Sequence, residues 1–258
     1  MNVRELYARL SERIPKSLSC SWDNDGLLCC PDGKTEVKKV LIALDVTSAV
    51  ADEAVRGGYD CIISHHPFIF KGLKALDDEG SISSKAVKLI GAGISVMSFH
   101  TRLDAAEGGV NDTLCALLEL DGVSPIYEED IPLGRIGTLS SPMRAKELAE
   151  KVKAVLGAPF VLLADAGVPA QRIALLGGSG KDMIDAARTA GADTFISGRF
   201  DYHPMTDAAD ENIAPMNLIE AGHFYTEAPV CYALQKMVAE IDDGIECRVI
   251  DSNNIMAV

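Results

Sequence analysis

The chain repeats one strand–helix–strand pattern, and this repeat constrains the fold more than any other feature of the sequence. The segment ALDVTSAVADEAVRGGYDCIIS, which ends at Ser64, aligns with LGGSGKDMIDAARTAGADTFIS, which ends at Ser197. In both segments a helix-forming stretch leads through a Gly-x-Asp turn into a short apolar run. Alternating strands and helices favour parallel βαβ units. The repeat therefore predicts an α/β fold with two similar α/β lobes that arose by internal duplication.

Short apolar runs mark the expected strands of both halves. They lie at residues 39–45, 61–64, 94–99, 172–176, 194–197 and 216–219. Helices are expected from Thr47 or Ser48 to Arg56, from Ile82 to Ile90, after a glycine turn at 177–180, and after Pro229. Residues 125–142 are rich in turn residues and acids, and Ser141-Pro142 is expected to cap a further helix that carries Leu148 and Val152. We place the domain boundary between residues 1–124 and 125–258.

Composition limits the classes of partner. The chain has 258 residues, of which 48% are hydrophobic, so it can bury a substantial core. It carries 38 acidic against 24 basic residues and a net charge of -14. The negative charge therefore argues against nucleic acid and anionic membrane surfaces as partners. A small anionic substrate remains an option where bound cations invert the local field.

The cysteines and the N-terminal segment indicate where the protein resides. Seven cysteines form no CxxC pair and no regular framework, which favours a reducing cytoplasm. Charges interrupt every apolar run in the first 30 residues, so we expect neither a signal peptide nor a membrane span. A cytoplasmic protein without a membrane partner is expected.

Histidines and carboxylates cluster where the predicted strands end. His65 and His66 directly follow the strand CIIS, at the sheet edge where α/β proteins bind ligands. In the repeat, SFHTRLD at 98–104 falls opposite AGHFYTE at 221–227, so each half offers a histidine four residues before a carboxylate. Those pairs are His100 with Asp104 and His223 with Glu227. In a helical turn, residues four apart share one side.

These side chains form a donor set that suits transition metals. The imidazoles of His65, His66 and His223 and the carboxylates of Asp104 and Glu227 match two divalent ions of Zn, Mn, Fe, Co or Ni better than Mg or Ca. Adjacent side chains on an extended segment diverge, so His65 and His66 are expected to serve two ions, or one ion and its surroundings. Two such ions would activate water, which makes hydrolysis the natural reaction.

Structural interpretations stand beside these hypotheses. For His203, a hydrogen-bonded core position is favoured over a functional one, whereas metal binding is favoured for His65 and His66. His100 has three open roles, as a ligand, as an acid/base group or as an orienter of Asp104.

Several further motifs have open or structural interpretations. The glycine turn at 177–180 is equally compatible with phosphate binding and with a tight structural turn. Trp22, the only tryptophan, is more typical of a core or an interface than of catalysis. Asp23 and Asn24 are interpreted as capping and turn residues, and burial is favoured over metal binding for Cys29 and Cys30.

Several separated motifs carry a family resemblance over nearly the whole chain. They are SWDNDGL at 21–27, IISHHPFIF at 62–70, SFHTRLDAAEGGVND at 98–112, GGSG at 177–180, GADTFISG at 191–198 and EAGHFYTE at 220–227. The chain resembles the dinuclear-metal proteins of the GTP cyclohydrolase I type 2 homologue family, also called the Ngg-interacting-factor-three-like family. Its usual motifs look like WDNVGL, HTNLD and GDxxYHD. Here Asp25, Arg102 and the segment GRFDYHP at 198–204 depart from them.

The resemblance implies a site, an assembly and an activity. One ion would be bound by His65 and His223 and the other by His66 and Asp104, with Glu227 bridging both. It also implies two similar lobes with the metals in the cleft between them, a ring-shaped homohexamer and opening of the guanine imidazole ring of GTP. Our first hypothesis is a metal-dependent hydrolase of a nucleotide-like or other small anionic substrate. The alternatives are a non-catalytic metal-binding scaffold or metal-handling protein, and a metal-dependent phosphoesterase.

Overall fold

The structure is a computed structural model that describes residues 1–210 and 215–256. The first 106 residues contain the helices α1 (Val3–Arg13), α2 (Ser48–Gly57), α3 (Ser81–Gly91) and α4 (Thr101–Ala105) and the strands β1 (Gly26–Cys29), β2 (Lys39–Ala43), β3 (Cys61–Ser64) and β4 (Ser95–Ser98). The following part contains the helices α5 (Val110–Leu117), α6 (Ala145–Leu156), α7 (Ile184–Thr189), α8 (Tyr202–Asp210) and α9 (His223–Glu227) and the strands β5 (Asp121–Glu128), β6 (Ile131–Met143), β7 (Leu162–Ala164), β8 (Ala170–Ser179), β9 (Thr194–Arg199) and β10 (Asn217–Glu220). The last elements are α10 (Val230–Ile241) and β11 (Glu246–Val249).

The first structural unit comprises Met1–Ala106 and Val230–Asn254. Its sheet has five strands in the order β1-β4-β3-β2-β11, with β1 antiparallel to β4 and the remaining neighbours parallel. Every residue of β3 is buried, as expected for a central parallel strand covered on both faces. Leu41, Ile62 and Val96, one from each central strand, belong to its hydrophobic core together with residues of α2 and α3.

The second structural unit comprises Glu107–Pro229 with the chain from Ile255. Its sheet has six strands in the order β5-β6-β8-β9-β10-β7. Strands β8, β9 and β10 are parallel, and the flanking pairs are antiparallel. Ala174, Phe195 and Leu218 come from the three parallel strands and belong to the core of this unit.

The two similar α/β lobes expected from the repeat are confirmed by the sheet order. Strands β2, β3 and β4 are parallel neighbours in the first unit, and β8, β9 and β10 are parallel neighbours in the second. In each unit the last of the three is followed by a five-residue helix that carries the carboxylate of the histidine–carboxylate pair. Helix α2 begins after Thr47 as predicted, because the Thr47 side chain accepts a hydrogen bond from the Val50 N–H (3.2 Å).

The region between the repeats differs from the prediction. Residues 125–142, interpreted as turn-rich, lie mostly in the antiparallel pair β5–β6, which turns at Glu129 with a positive φ of 51°. Ser141-Pro142 does not cap a helix, because it lies near the end of β6. The β6–β8 pairing is irregular there, which tolerates a proline without a backbone N–H. Helix α6 begins at Ala145, after Arg144.

The division between the units also differs from the boundary placed at residues 124 and 125. The chain passes from the first unit to the second after Ala106, and it returns to the first at Val230. The return has a physical cause, since β11 pairs in parallel with β2 and extends the first sheet. Residues Val230–Asn254 thus complete the first unit.

None of the helices in the described part of the chain combines the length and apolar character needed to span a membrane.

Candidate metal centre

In the first unit, three histidines lie at the carboxyl ends of parallel strands. His65 and His66 follow β3, and His100 follows β4 after one residue. One ring nitrogen from each lies within 4.8 Å of the others. The ring centroids of His65 and His66 are 5.0 Å apart. The expectation that these adjacent side chains diverge is therefore wrong, because the chain bends at both residues immediately after Ser64 and is no longer extended.

Hydrogen bonds at the Nδ1 atoms define the tautomers of the two adjacent histidines. Nδ1 of His65 lies 3.0 Å from the carbonyl oxygen of Phe99, and a carbonyl oxygen can only accept. Nδ1 of His66 lies 2.8 Å from a carboxylate oxygen of Asp45. Each Nδ1–H therefore donates, and in the neutral ring the electron pair is on Nε2. Metal-binding histidines typically have their other ring nitrogen bonded in this way.

His100 has the same arrangement. Its Nδ1 lies 2.9 Å from Oδ1 of Asp23, while Oδ2 of Asp23 accepts from the backbone N–H (3.0 Å) and hydroxyl (2.6 Å) of Thr101. Burial acts to raise the pKa of Asp23, but the hydrogen bonds from His100 and Thr101 outweigh burial and lower this pKa from 3.8 to about 2. Asp23 is thus ionised at neutral pH, so the His100 Nδ1–H donates and Nε2 is the atom that exchanges a proton or binds a ligand.

Asp104 lies beside this cluster on α4. Its carboxylate is buried, and Oδ1 is 3.7 Å from Nε2 of His65. With the His65 proton on Nδ1, the atoms that face each other are a lone pair and a carboxylate oxygen. A positive charge near both atoms would be attracted by both, and a buried carboxylate needs compensation by hydrogen bonds or by an opposite charge.

In the second unit, His223 and Glu227 form the other histidine–carboxylate pair. Both lie on α9, where the four-residue spacing puts Nε2 of His223 3.1 Å from Oε2 of Glu227. Glu227 is 4% exposed. The sequence prediction that this spacing brings an imidazole and a carboxylate together is confirmed.

Two glycines allow α9 to lie against the strands of the second unit. A Cβ atom on Gly198 would lie 2.6 Å from the carbonyl oxygen of Gly178 and 2.8 Å from Cα of His223. A Cβ atom on Gly178 would lie 2.3 Å from Oε1 of Glu227, and Gly178 has a φ of +68°. Both positions therefore require glycine, and Gly178 forms part of the cradle that holds the Glu227 carboxylate.

Three backbone N–H groups of the glycine turn at 177–180 donate hydrogen bonds to other groups of the protein. The N–H of Gly177 donates to Oδ1 of Asn111 (2.8 Å), and that of Gly178 donates to the hydroxyl of Thr226 (3.1 Å). The N–H of Gly180 donates to the carbonyl of Arg199 (3.1 Å). These bonds favour the structural interpretation of the turn over the phosphate-binding one.

The chemistry of the donor set fits divalent transition metals. Three imidazoles in the first unit are oriented through Nδ1, and both units contain a buried carboxylate within 4 Å of an imidazole Nε2. Imidazole and carboxylate ligands together suit Zn, Mn, Fe, Co and Ni. The chain therefore contains histidine and acidic groups able to bind metal.

Several other residues lie elsewhere than expected. His203 is exposed at the beginning of α8, so its interpretation as a core histidine is wrong. Trp22 is not a core residue either, because most of its ring is exposed. Cys29 is buried as favoured, and burial raises the pKa of its thiol to about 11, whereas Cys30 is half-buried.

Sequence reasoning missed the two carboxylates that orient the histidines. Asp45 follows β2 by two residues, at the same strand edge as His65 and His66, so the edge rule applied to the histidines also identifies it. Asp23 was interpreted as a turn residue. Its partner His100 lies 77 positions further along the chain, and no local pattern links them.

Comparison with known proteins gives one consistent family. The family model of Duf34/NIF3 (NGG1p interacting factor 3) matches residues 1–255. A "GTP cyclohydrolase 1 type 2 homolog" of Clostridium acetobutylicum is 32% identical, over 98% of this chain and 96% of that protein. A "Protein NIF3 homolog" of Schizosaccharomyces pombe is 31% identical, over 99% of this chain and 95% of that protein.

Solved structures agree with the fold. A Bacillus cereus protein related to NIF3 matches with a TM-score of 0.89 and 23% identity, over 100% of this chain and 99% of that chain. A Staphylococcus aureus hypothetical protein matches with a TM-score of 0.87 and 28% identity, over 100% and 99% of the two chains.

Proposed function

Because this chain belongs to the Duf34/NIF3 family, we propose that it is a metal-dependent hydrolase of a nucleotide-like or other small anionic substrate. In this proposal His65, His66, Asp104, His223 and Glu227 bind two divalent ions, of Zn, Mn, Fe, Co or Ni. Relatives named as GTP cyclohydrolase 1 type 2 homologues support the choice of a guanine nucleotide as the first substrate to test.

One observation carries the proposal. The Nδ1 atoms of His65, His66 and His100 each face a carbonyl or carboxylate oxygen, at 3.0, 2.8 and 2.9 Å. These hydrogen bonds orient the Nε2 lone pairs of three rings that cluster at one sheet edge. Burying such polar groups costs free energy that packing alone does not explain. Divalent ions in such a site act as Lewis acids and lower the pKa of water, which suits hydrolysis at neutral pH.

Other residues of the chain orient the proposed metal ligands and transfer protons. Asp45 holds the ring of His66, and the carbonyl of Phe99 holds that of His65, which fixes the direction in which each Nε2 points. Asp23 holds His100 through Nδ1, so Nε2 of His100 can accept a proton from the attacking water or donate one to a leaving group. His100 is accordingly proposed as the acid/base group.

The negative charge of the site means that an anionic substrate can bind only when metal ions are present. The net charge is -14, and Asp23, Asp45 and Asp104 lie among the histidines of the first unit. Without cations this environment repels phosphate groups. Substrate affinity should therefore depend on metal as strongly as turnover does.

The experiment starts from metal-free protein that is reloaded separately with Mn, Zn, Fe and Co. GTP, other nucleotides, phosphodiesters and peptides are then screened for turnover, with Glu227→Ala as the test variant. Glu119→Ala is the matched control, because Glu119 is an exposed glutamate of the same unit whose side chain pairs with Lys151 at the surface. We expect turnover that vanishes without metal and in Glu227→Ala but persists in Glu119→Ala.

The other outcomes identify the alternatives. Hydrolysis of phosphodiesters alone would contradict the hypothesis of a nucleotide hydrolase and support that of a phosphoesterase. Tight metal binding with no turnover for any ion or substrate would contradict catalysis and favour the scaffold or metal-handling protein. Absence of metal binding would contradict the whole proposal.

A further inference from the structure

Two large aromatic side chains are exposed beside His100. Trp22 is 60% exposed and Phe70 is 47% exposed, although aromatic rings of this size are normally covered. Their ring centroids are 6.3 Å apart, and those of Trp22 and Phe70 lie 6.1 and 6.4 Å from that of His100. The two exposed rings are thus continuous with the imidazole cluster already described.

The three rings are nearly perpendicular to one another. The interplanar angles are 73° between Trp22 and Phe70, 74° between Trp22 and His100, and 85° between Phe70 and His100. A flat ring stacked on any one of them therefore lies close to perpendicular to the planes of the other two. Face-to-face stacking and edge-to-face contact are the two favourable arrangements of aromatic rings.

Hydrogen bonds hold this corner in place. The Asn24 side chain donates to the carbonyl of Ile69 (2.6 Å), which joins the loop of Trp22 to the loop of Phe70. On the other side, Asp23 accepts from His100 and Thr101, and the N–H of Cys20 donates to the Thr101 hydroxyl (2.9 Å). Exposed rings fixed on both sides lose little conformational entropy when they bind a ligand.

We propose that Trp22, Phe70 and His100 form a binding site for a flat heteroaromatic ring of the substrate, such as a purine base. The inference rests on the proposed function for its nucleotide-like substrate class and adds the residues that recognise the ring. Stacking on one of the two exposed rings and edge contact with the other provide affinity with few polar contacts, and His100 lies beside both rings.

Trp22 is the only tryptophan in the chain, so its fluorescence reports directly on this corner. Guanosine, GTP and inorganic triphosphate are titrated into the protein as isolated, with fluorescence and calorimetry as readouts. We expect guanosine and GTP to quench Trp22 in a saturable way. Phe70→Leu, which leaves Trp22 in place, should weaken both by about tenfold to a hundredfold, and inorganic triphosphate should bind as before.

Further variants separate stacking from folding. Trp22→Phe should retain most of the guanosine affinity measured by calorimetry, and Trp22→Ala should lose it. Phe160→Leu is the matched control, because Phe160 is a comparably exposed phenylalanine of the second unit. It should leave guanosine binding unchanged. Thermal unfolding at the wild-type temperature would show that each variant is folded.

Three results would overturn the inference. The first is the absence of saturable quenching by guanosine and GTP, and the second is an equal loss of triphosphate and guanosine affinity in Phe70→Leu. The third is a change of assembly mass in Trp22→Ala without a change in guanosine affinity, which would make the corner a protein interface. Guanosine binding is read from fluorescence and calorimetry and not from turnover, so failure of metal-dependent hydrolysis leaves the result intact.

Discussion

Asp25 and Arg102 form a fully buried ion pair in which Oδ2 of Asp25 lies 3.1 Å from Nε of Arg102. Both positions differ from the motifs usual in the family. The two residues that differ therefore contact each other. The guanidinium also lies 4.4 Å from the ring centroid of Phe99 and donates to the carbonyl of Ile14. Asp25 in turn accepts from the backbone N–H of His100 (3.2 Å), which connects this pair to the imidazole cluster.

Separating this pair should destabilise the protein strongly. Asp25→Val leaves the buried Arg102 guanidinium without its counter-charge, and we expect it to lower the free energy of unfolding by about 3–5 kcal/mol. Arg102→Asn should cost less, because Asp25 keeps its second cationic partner, Lys16. The double variant should cost less than the sum of the two by about 1–3 kcal/mol. Chemical denaturation of the four proteins measures the coupling, and additive losses would show that the pair does not act as a unit.

Metal should stabilise the protein through the histidines of the cluster. A ligand at about a thousand times its dissociation constant adds about 4 kcal/mol, so treatment with a chelator should lower Tm by about 10 °C and metal should restore it. His66→Ala should abolish this response. His203→Ala is the control, since His203 is exposed on α8. A metal response that survives in His66→Ala would remove that residue from the site.

Gly178 should be intolerant of even a methyl group. In Gly178→Ala the new Cβ overlaps Oε1 of Glu227 at a φ of +68°, so the carboxylate must move and the backbone is strained. We expect metal affinity to fall at least tenfold, measured by competition with a chelator. Gly91→Ala is the matched control, because a Cβ there meets nothing within 4 Å. Equal effects of both variants on metal affinity would contradict the cradle.

Asp23 should contribute to stability in a pH-dependent way. Its pKa is lowered from 3.8 to about 2 in the folded protein, so its contribution is fully present above about pH 4 and is lost as the pH falls through about 2. Allowing for solvent screening, Asp23→Asn should cost about 1 kcal/mol at neutral pH. The difference from wild type should shrink below pH 4 in denaturant titrations, and a constant difference down to pH 2 would contradict it.

The proposed assembly is a homohexamer. Sedimentation equilibrium should then give a mass about six times the 27.5 kDa of one chain. A single species of monomer or dimer mass at micromolar concentration would exclude the ring.

The spacing of hydrophobic residues and the positions of strand ends predicted much of this fold. Contacts between residues that are distant in the sequence were not predicted. The runs around Leu41, Ile62 and Val96 identified the three parallel strands of the first unit, because buried parallel strands are continuously apolar. The antiparallel pair around residues 125–142 was missed, since turn residues there lie within strands whose pairing is irregular. Strand β11 was missed as well, because its polar and half-buried residues show neither an apolar run nor clear alternation.

The candidate site shows the same limit. His65, His66, His223 and Glu227 follow from strand ends and from helical spacing, both of which are local properties. The carboxylate–imidazole pairing of Asp23 and His100 and the ion pair of Asp25 and Arg102 join residues 77 positions apart. Only the folded chain brings such residues together, so neither pairing had a sequence signal.

The return of α10 and β11 to the first unit has a consequence for synthesis of the chain. Most of the second unit, Glu107–Pro229, is continuous in sequence. The sheet of the first unit, by contrast, acquires its edge only when Val249 pairs with Ile42. Until residues 246–249 have been synthesised, β2 exposes an unpaired edge in the nascent chain, and such an edge can pair with the wrong strand.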